Sequence, residues 1–194
     1  MTGPVLRTDR ARIAELRSAL VGGCLEDVAY GQSAFAGYAD PQDGDIHQVD
    51  FELFMRFGNG VIAVTWDRDD RVEGLSVSTA EPYYEGDDTV LVPAMSTAWA
   101  AAIGRVVEAV DFGWQVSETG VPESLWGIRL GFSEGRRVVI ALGEIGSDGA
   151  VWYHPDSLVV LFDERDLARC RTLGGTAAVS GPIIFETATS AVAG

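Results

Sequence analysis

Two stretches of alternating apolar residues most constrain what this chain can become: Phe51–Trp66 (FELFMRFGNGVIAVTW) and Trp126–Leu142 (WGIRLGFSEGRRVVIAL). In the first, Phe51, Leu53, Met55 and Phe57 alternate with Glu52, Phe54 and Arg56, the period of a strand with one buried face. Asn59-Gly60 follows, and both residues tolerate the positive φ of a two-residue type I′ turn. Folding there pairs Phe57 with Ile62, Met55 with Val64 and Leu53 with Trp66, all six on one face. In the second stretch, a two-residue turn at Glu134-Gly135 would turn Val138, Ile140 and Leu142 to the wrong face. A three-residue loop, Ser133-Glu134-Gly135, pairs Leu130 with Val138, Ile128 with Ile140 and Trp126 with Leu142, and gives Gly135 the left-handed position of a bulged turn.

The two hairpins belong to a longer correspondence. VGGCLEDVAYG (21–31) aligns without gaps on IGRVVEAVDFG (103–113), setting Gly22 on Gly104, Leu25 on Val107, Glu26 on Glu108, Val28 on Val110, Tyr30 on Phe112 and Gly31 on Gly113, all 82 apart. The hairpins align at an offset of 75, so the first copy carries seven extra residues, within the polar stretch Gly37–Gln48. This pattern predicts an α+β, β-rich fold in which two pseudo-equivalent helix–strand–hairpin (αβββ) units share one core of antiparallel sheets. A chain of 194 residues suits a single domain, with the first unit at about 8–80 and the second at about 94–171.

Local signals fill in the units. Arg7–Leu20 reads as a helix capped by Thr8, with Ile13, Leu16 and Leu20 on one face and Gly22-Gly23 ending it. Its arginines, Arg7, Arg10, Arg12 and Arg17, read as a solvated face. A strand at about Cys24–Gly31 follows. The second helix is expected at Ser96–Ile103, capped by Ser96. Val151–Tyr153 and a His154-Pro155-Asp156 turn precede Leu158–Phe162, whose unbroken apolar run predicts a central, covered strand. Glu164–Arg171 is expected as a short helix capped by Asp163. The tail, 172–194, is rich in Gly, Ala, Ser and Thr and is expected to be partly disordered, with Pro182–Phe185 as its docking point.

Charge narrows the function classes. The net charge is −15, and all 14 basic residues are arginine. Residues 26–95 hold fifteen acids against Arg56, Arg68 and Arg71, which leaves −12 in that segment. Such a field disfavours nucleic acid and anionic membrane and attracts a basic protein partner. No stretch approaches the roughly 18–20 apolar residues of a membrane span. The first twenty residues spread arginines where a secretory signal would have an apolar run, so a cytoplasmic location is expected. Cys24 and Cys170 provide no disulfide framework and no metal spacing.

Few residues suggest chemistry. His47 and His154 are the only histidines. His154, Asp156 and Ser157 sit too close along one turn to form a relay, and no nucleophile elbow is present. Asp40, Asp43 and Asp45 lack the spacing and the closing glutamate of a calcium loop, and the glycines sit at turns rather than in a phosphate-binding loop. No catalytic residue, metal or cofactor is therefore expected. Trp66, Trp99, Trp126 and Trp152 fall on apolar faces. The stretch Glu81–Asp88 (EPYYEGDD) sets Tyr83 and Tyr84 among carboxylates, the pattern of aromatic anchors inside a negative field. Tyr83, Tyr84 and Trp114 are thus candidate partner-binding anchors, with Asp40, Asp43, Asp45, Asp87 and Asp88 steering association.

The succession FGNGVIAVTWD (57–67), IGRVVEAVDFGW (103–114), IRLGFSEGRRVVIALGE (128–144) and YHPDSLVVLFD (153–163) resembles a group of uncharacterised small acidic actinobacterial proteins, over roughly residues 20–165. Some of these look like the immunity partners of polymorphic toxins. The resemblance implies an inhibitor of a basic toxin domain and carries no active-site motif. The alternative from the residues themselves is a small-ligand receptor or hydrolase-like enzyme with a pocket between the two units, using His47, His154 and nearby carboxylates.

Overall fold

A computed structural model describes residues 3–33, 45–79, 89–93, 96–148, 150–154, 156–163, 165, 170–171 and 183–186. The first element is helix α1 (Arg10–Leu20), followed by strand β1 (Leu25–Ser33). Strands β2 (Ile46–Val49), β3 (Glu52–Phe57), β4 (Gly60–Asp69), β5 (Val72–Ser78) and β6 (Thr89–Pro93) lead to a one-turn helix α2 (Thr97–Ala100). Next come β7 (Val107–Gln115), β8 (Ser124–Phe132), β9 (Arg137–Leu142), β10 (Glu144–Ile145), β11 (Val151–Trp152), β12 (Leu158–Leu161), β13 (Cys170–Arg171) and β14 (Ile184–Glu186). The chain is an α+β protein dominated by antiparallel sheets; among the described pairings only β11–β13 is parallel.

The strands form a five-stranded sheet, β5-β4-β3-β1-β6, and a six-stranded sheet, β14-β7-β8-β9-β12-β2, with β10-β11-β13 as a small third sheet. The registers of the two large sheets correspond. Leu25 faces Phe57 and Val107 faces Phe132, each pair followed by a register shift; Val28 faces Met55 and Val110 faces Leu130; Tyr30 faces Leu53 and Phe112 faces Ile128. The apolar positions of β1, β3, β4 and β5 and those of β7, β8, β9 and β12 meet in one hydrophobic cluster, to which α1 adds Leu16 and Leu20 and α2 adds Trp99.

Where the two sheets touch, the backbone is knitted reciprocally. Gly22 N–H donates to Val107 O at 2.8 Å and Gly104 N–H to Leu25 O at 2.7 Å; Leu25 N–H donates to Arg105 O at 3.0 Å and Val107 N–H to Gly23 O at 2.9 Å. Cys24 faces Val106 at the centre of this bridge. Both turns that deliver the chain to it hold a glycine in the left-handed region, Gly22 at φ +86 and Gly104 at φ +81.

Several expectations are met in detail. The later hairpin has the three-residue loop, with Leu130 opposite Val138, Ile128 opposite Ile140 and Gly135 at φ +76. Glu134 is also left-handed, at φ +64, and its carboxylate pairs with Arg105. β12 is buried along its whole length between β9 and β2. The docking point in the tail is real: Ile184–Glu186 adds an edge strand to β7.

Others need correction. The first hairpin turns at Gly58-Asn59, two residues from the expected register, so Met55 faces Ile62 and Leu53 faces Val64. The positive φ falls on Gly60 (+141), which pairs with Phe57, and Trp66 faces Leu75 of β5 instead of Leu53. A slide of two residues leaves every side chain on its original face, so the apolar pattern cannot detect it. Helix α1 begins at Arg10 behind Asp9, not at Arg7 behind Thr8, and the Asp9 carboxylate accepts from Leu6 N–H. Helix α2 stops at Ala100, short of Ile103, although Ser96 does cap it by accepting from Trp99 N–H. Cys170–Arg171, expected as the end of a helix, pair instead as a strand with β11; residues 164 and 166–169 of the expected helix lie outside the described residues.

β2 joins the six-stranded sheet through β12, yet the next residues enter β3 of the other sheet. The crossing is held by Gln32, whose side chain donates to Gln48 O at 3.1 Å and accepts from Asp50 N–H at 2.8 Å.

Nothing lies within 4 Å of a Cβ built at Gly22 or Gly104, so alanine there is opposed by backbone conformation alone. Gly22→Ala and Gly104→Ala should each destabilise by about 1–2 kcal/mol, seen in urea as a lower midpoint at unchanged slope. Gly58→Ala, at a glycine without positive φ, should cost markedly less.

Candidate functional site

The anchors and steering charges expected in the acidic loops fall mostly outside the described residues: this holds for Asp40, Asp43, Tyr83, Tyr84, Asp87 and Asp88. Asp45 is described; its side chain is exposed and its carbonyl accepts from Phe162 N–H at 2.9 Å. Trp114 is not an exposed anchor. It is 4% exposed, on the β7 strand, with its ring 6.3 Å from that of Phe112.

The two histidines belong to different surroundings. His47, on β2, is 1% exposed and hydrogen-bonds through Nδ1 to the Tyr30 hydroxyl at 2.8 Å. Tyr30 also accepts from the Trp99 indole, and the His47 and Trp99 rings both stand edge-on to Phe162, at 4.8 and 5.0 Å. This is a polar network sealed inside the shared core. His154 is half-buried in the turn before β12, where Asp156 N–H approaches its Nδ1 at 3.4 Å. Ser157, in the same turn, donates to Gly143 O at 2.8 Å, a structural contact between the ends of β9 and β12.

A second cluster joins β5 to β8. The Trp126 indole donates to Glu73 O and to Ser124 Oγ, both at 3.0 Å, and Ser124 Oγ in turn donates to Glu73 O. Tyr153 stacks on Trp126 with ring centres 4.1 Å apart and donates its hydroxyl to the Glu73 carboxylate. Burial raises the pKa of Tyr153 well above the ordinary phenol value, and the adjacent Glu73 carboxylate raises it further. Burial likewise raises Tyr30, against a smaller opposing effect of the Trp99 hydrogen bond.

The third arrangement is a cleft of about 410 Å³ between α1 and the β14–β7 edge of the six-stranded sheet. Arg7, Arg10 and Arg17 line it from the helix side, Phe112 and Trp114 from the sheet, and Glu186 from β14. Arg7 is held by Glu123 and Glu186, and these contacts raise its pKa further. The Arg17 guanidinium lies over the Phe112 ring, 5.2 Å from its centre, in cation–π contact. Arg10 is exposed, as expected of a solvated face, whereas Arg17 is half-buried against Phe112. The missed signal is that Arg17 lies 82 residues before Trp99, a core aromatic.

Among the described residues no group of three or more His, Cys, Asp and Glu is arranged to hold a metal ion, and no helix is long and apolar enough to cross a membrane. No family model matches this chain, and no significant match to a curated protein or a solved structure was found. The geometry therefore carries the functional argument by itself.

Because buried Tyr30 and half-buried Tyr153 are both held neutral, their stabilising effect is complete below the unfolded phenol pKa of about 10 and is lost as pH rises past it. Phenolate absorbance should show Tyr30 and Tyr153, of five tyrosines, ionising only as the chain unfolds in alkali. Tyr30→Phe and Tyr153→Phe should each flatten the alkaline decline in stability.

Proposed function

We propose that this chain is a non-catalytic binding protein whose acidic face engages a basic protein partner, as an immunity-type inhibitor engages a toxin domain. The supporting observation is the distribution of charge. Glu26, Asp27, Asp45, Asp69 and Asp70, all from the segment of net charge −12, are exposed. Exposed carboxylates in excess accelerate encounter with a cationic surface and discourage anionic partners. The proposal has the protein acting in the cytoplasm, with Cys24 as a free thiol.

The fold reading that goes with it is duplication. We infer two pseudo-equivalent αβββ units descended from one, sharing a single core. Three features support this: the common strand order, registers that correspond at the sequence offsets of 82 and 75, and the reciprocal bonds between Gly22–Leu25 and Gly104–Val107. The polar stretch 37–48 and the charge of the first unit are then what distinguish the copies.

The basic-partner reading has a direct test. Pull-down from the native host should return a basic protein, and its association rate should fall steeply with salt. Neutralising Glu26, Asp27, Asp69 and Asp70 to their amides should slow association about tenfold or more at low ionic strength and leave dissociation nearly unchanged. Recovery of no basic partner, or an association rate indifferent to salt, rejects the reading.

The second reading, a small-ligand receptor, draws support from the cleft between α1 and β7, which lies between the two units. Its hydrolase-like version is less favoured, because His47 is engaged with Tyr30 inside the core. A folded double variant, His47→Ala with His154→Ala, should keep full biological activity; loss of activity with the fold intact would restore acid–base chemistry as the explanation.

A further inference from the structure

The bonds that close the two helices correspond at the offset of 82: Val21 N–H donates to Arg17 O, and Ile103 N–H donates to Trp99 O, both at 2.9 Å. Arg17 and Trp99 therefore stand at matching places, and their neighbours Phe112 and Tyr30 do as well. Around Trp99 the space is filled, since the indole donates to Tyr30 and packs against Phe162. Around Arg17 it is open to the cleft described above. The two halves thus treat one position oppositely, as a plug on one side and a lined opening on the other.

We propose that this cleft binds a small carboxylate with a planar apolar body. Two buried donors there lack any hydrogen-bond partner among the described residues, Arg17 Nε and Trp114 Nε1. Buried N–H groups left unpaired are costly, and an acceptor that reaches them recovers that loss. Trp114 is itself 4% exposed, so its indole is a fixed donor in the wall rather than a mobile surface group. Both nitrogens are buried and the Arg17 guanidinium lies over Phe112, so in this proposal ligand entry lifts the guanidinium from that ring. The vacated face of Phe112, with Ile13 beside it, then offers a flat apolar bed for the body of the ligand.

Charge selects the sign and the size of the anion. Arg7 is already neutralised by Glu123 and Glu186, whereas Arg10 and Arg17 have no ion-pair partner among the described residues. A guanidinium fork matches a carboxylate in two parallel hydrogen bonds. Glu186 at the rim and the net charge of −15 oppose a dianion such as phosphate. A volume of about 410 Å³ suits a small molecule.

The inference gives a ligand class to the receptor reading and is independent of the basic-partner reading, whose exposed acids lie elsewhere. The full chain is titrated with naphthoate while the indole N–H resonances of its five tryptophans are followed by NMR. The Trp114 resonance, assigned by its loss in Trp114→Phe, should shift saturably, and neutral naphthamide and inorganic phosphate should not reproduce the shift. Arg17→Gln should weaken naphthoate about tenfold or more, the loss of one charge-assisted pair. Arg10→Gln, at an exposed rim position that the fold does not need, should weaken it by a smaller factor and serves if Arg17→Gln fails to fold. No saturable shift at Trp114, equal affinity for naphthamide or phosphate, or affinity unchanged in the folded variants would each overturn the proposal. None of these outcomes alters the salt dependence expected of the acidic face.

Discussion

Four backbone hydrogen bonds hold this architecture in place, those that Gly22–Leu25 exchanges with Gly104–Val107. They fix the starts of β1 and β7 against each other, and from those two strands each large sheet is built outward in the same order. Once the starts are fixed, the inner faces of the two sheets lie over one cluster, and Leu20 and Trp99 can fall into it from the helices that precede the bridge. The bridge needs two left-handed turns, which is why glycine stands at both. Secondary contacts reinforce it at the other side. Leu125 N–H donates to Val5 O and Val5 N–H to Leu75 O, so the segment ahead of α1 stitches β8 to β5.

How far this was legible in the sequence depended on which physical rule decided each feature. The register of the later hairpin was legible because a one-residue error would have turned Val138 and Ile140 out of the core, and parity alone excluded it. The earlier hairpin escaped by two residues because parity is blind to such a slide. The pairing of Trp66 with Leu75 was invisible until β5 was recognised as its neighbour. β2 could not be foreseen as a crossing strand: its four residues carry a weak pattern, and its partner β12 lies more than a hundred residues away. Its anchorage depends on Gln32, a polar side chain 3% exposed, whose amide satisfies both Gln48 and Asp50. The one-turn α2 falls below the length at which helical periodicity can be read.

The candidate sites were legible to different degrees for a related reason. Carboxylate density is a property of composition and survives whatever the fold does, so the acidity of the first half could be named from sequence. The cleft is a property of how α1 packs beside β7 and β14. Arg17 reads as a surface residue on an amphipathic helix until its guanidinium is seen to lie over the buried Phe112 ring. Trp114 reads as an exposed aromatic at a strand end until β14 covers its edge of the sheet. Both errors come from reading each helix or strand by itself, when burial is decided by what packs across it.

An arginine-lined cleft in a chain of net charge −15 raises the question of which electrostatic effect wins there. The exposed carboxylates act through water and salt, and their influence decays over about 8 Å at physiological ionic strength. Arg17 Nε and Trp114 Nε1 are buried, so a carboxylate reaching them interacts at contact distance and with little screening. The distant negative field then lowers the rate at which an anion arrives, while the buried donors govern how long it stays. A site of this kind would favour ligands that carry one negative charge and enough apolar surface to cover Phe112, because the apolar part contributes without meeting the opposing field. The acidity proposed to draw a basic partner and the arginines proposed to hold a small carboxylate would therefore act over different distances and need not compete.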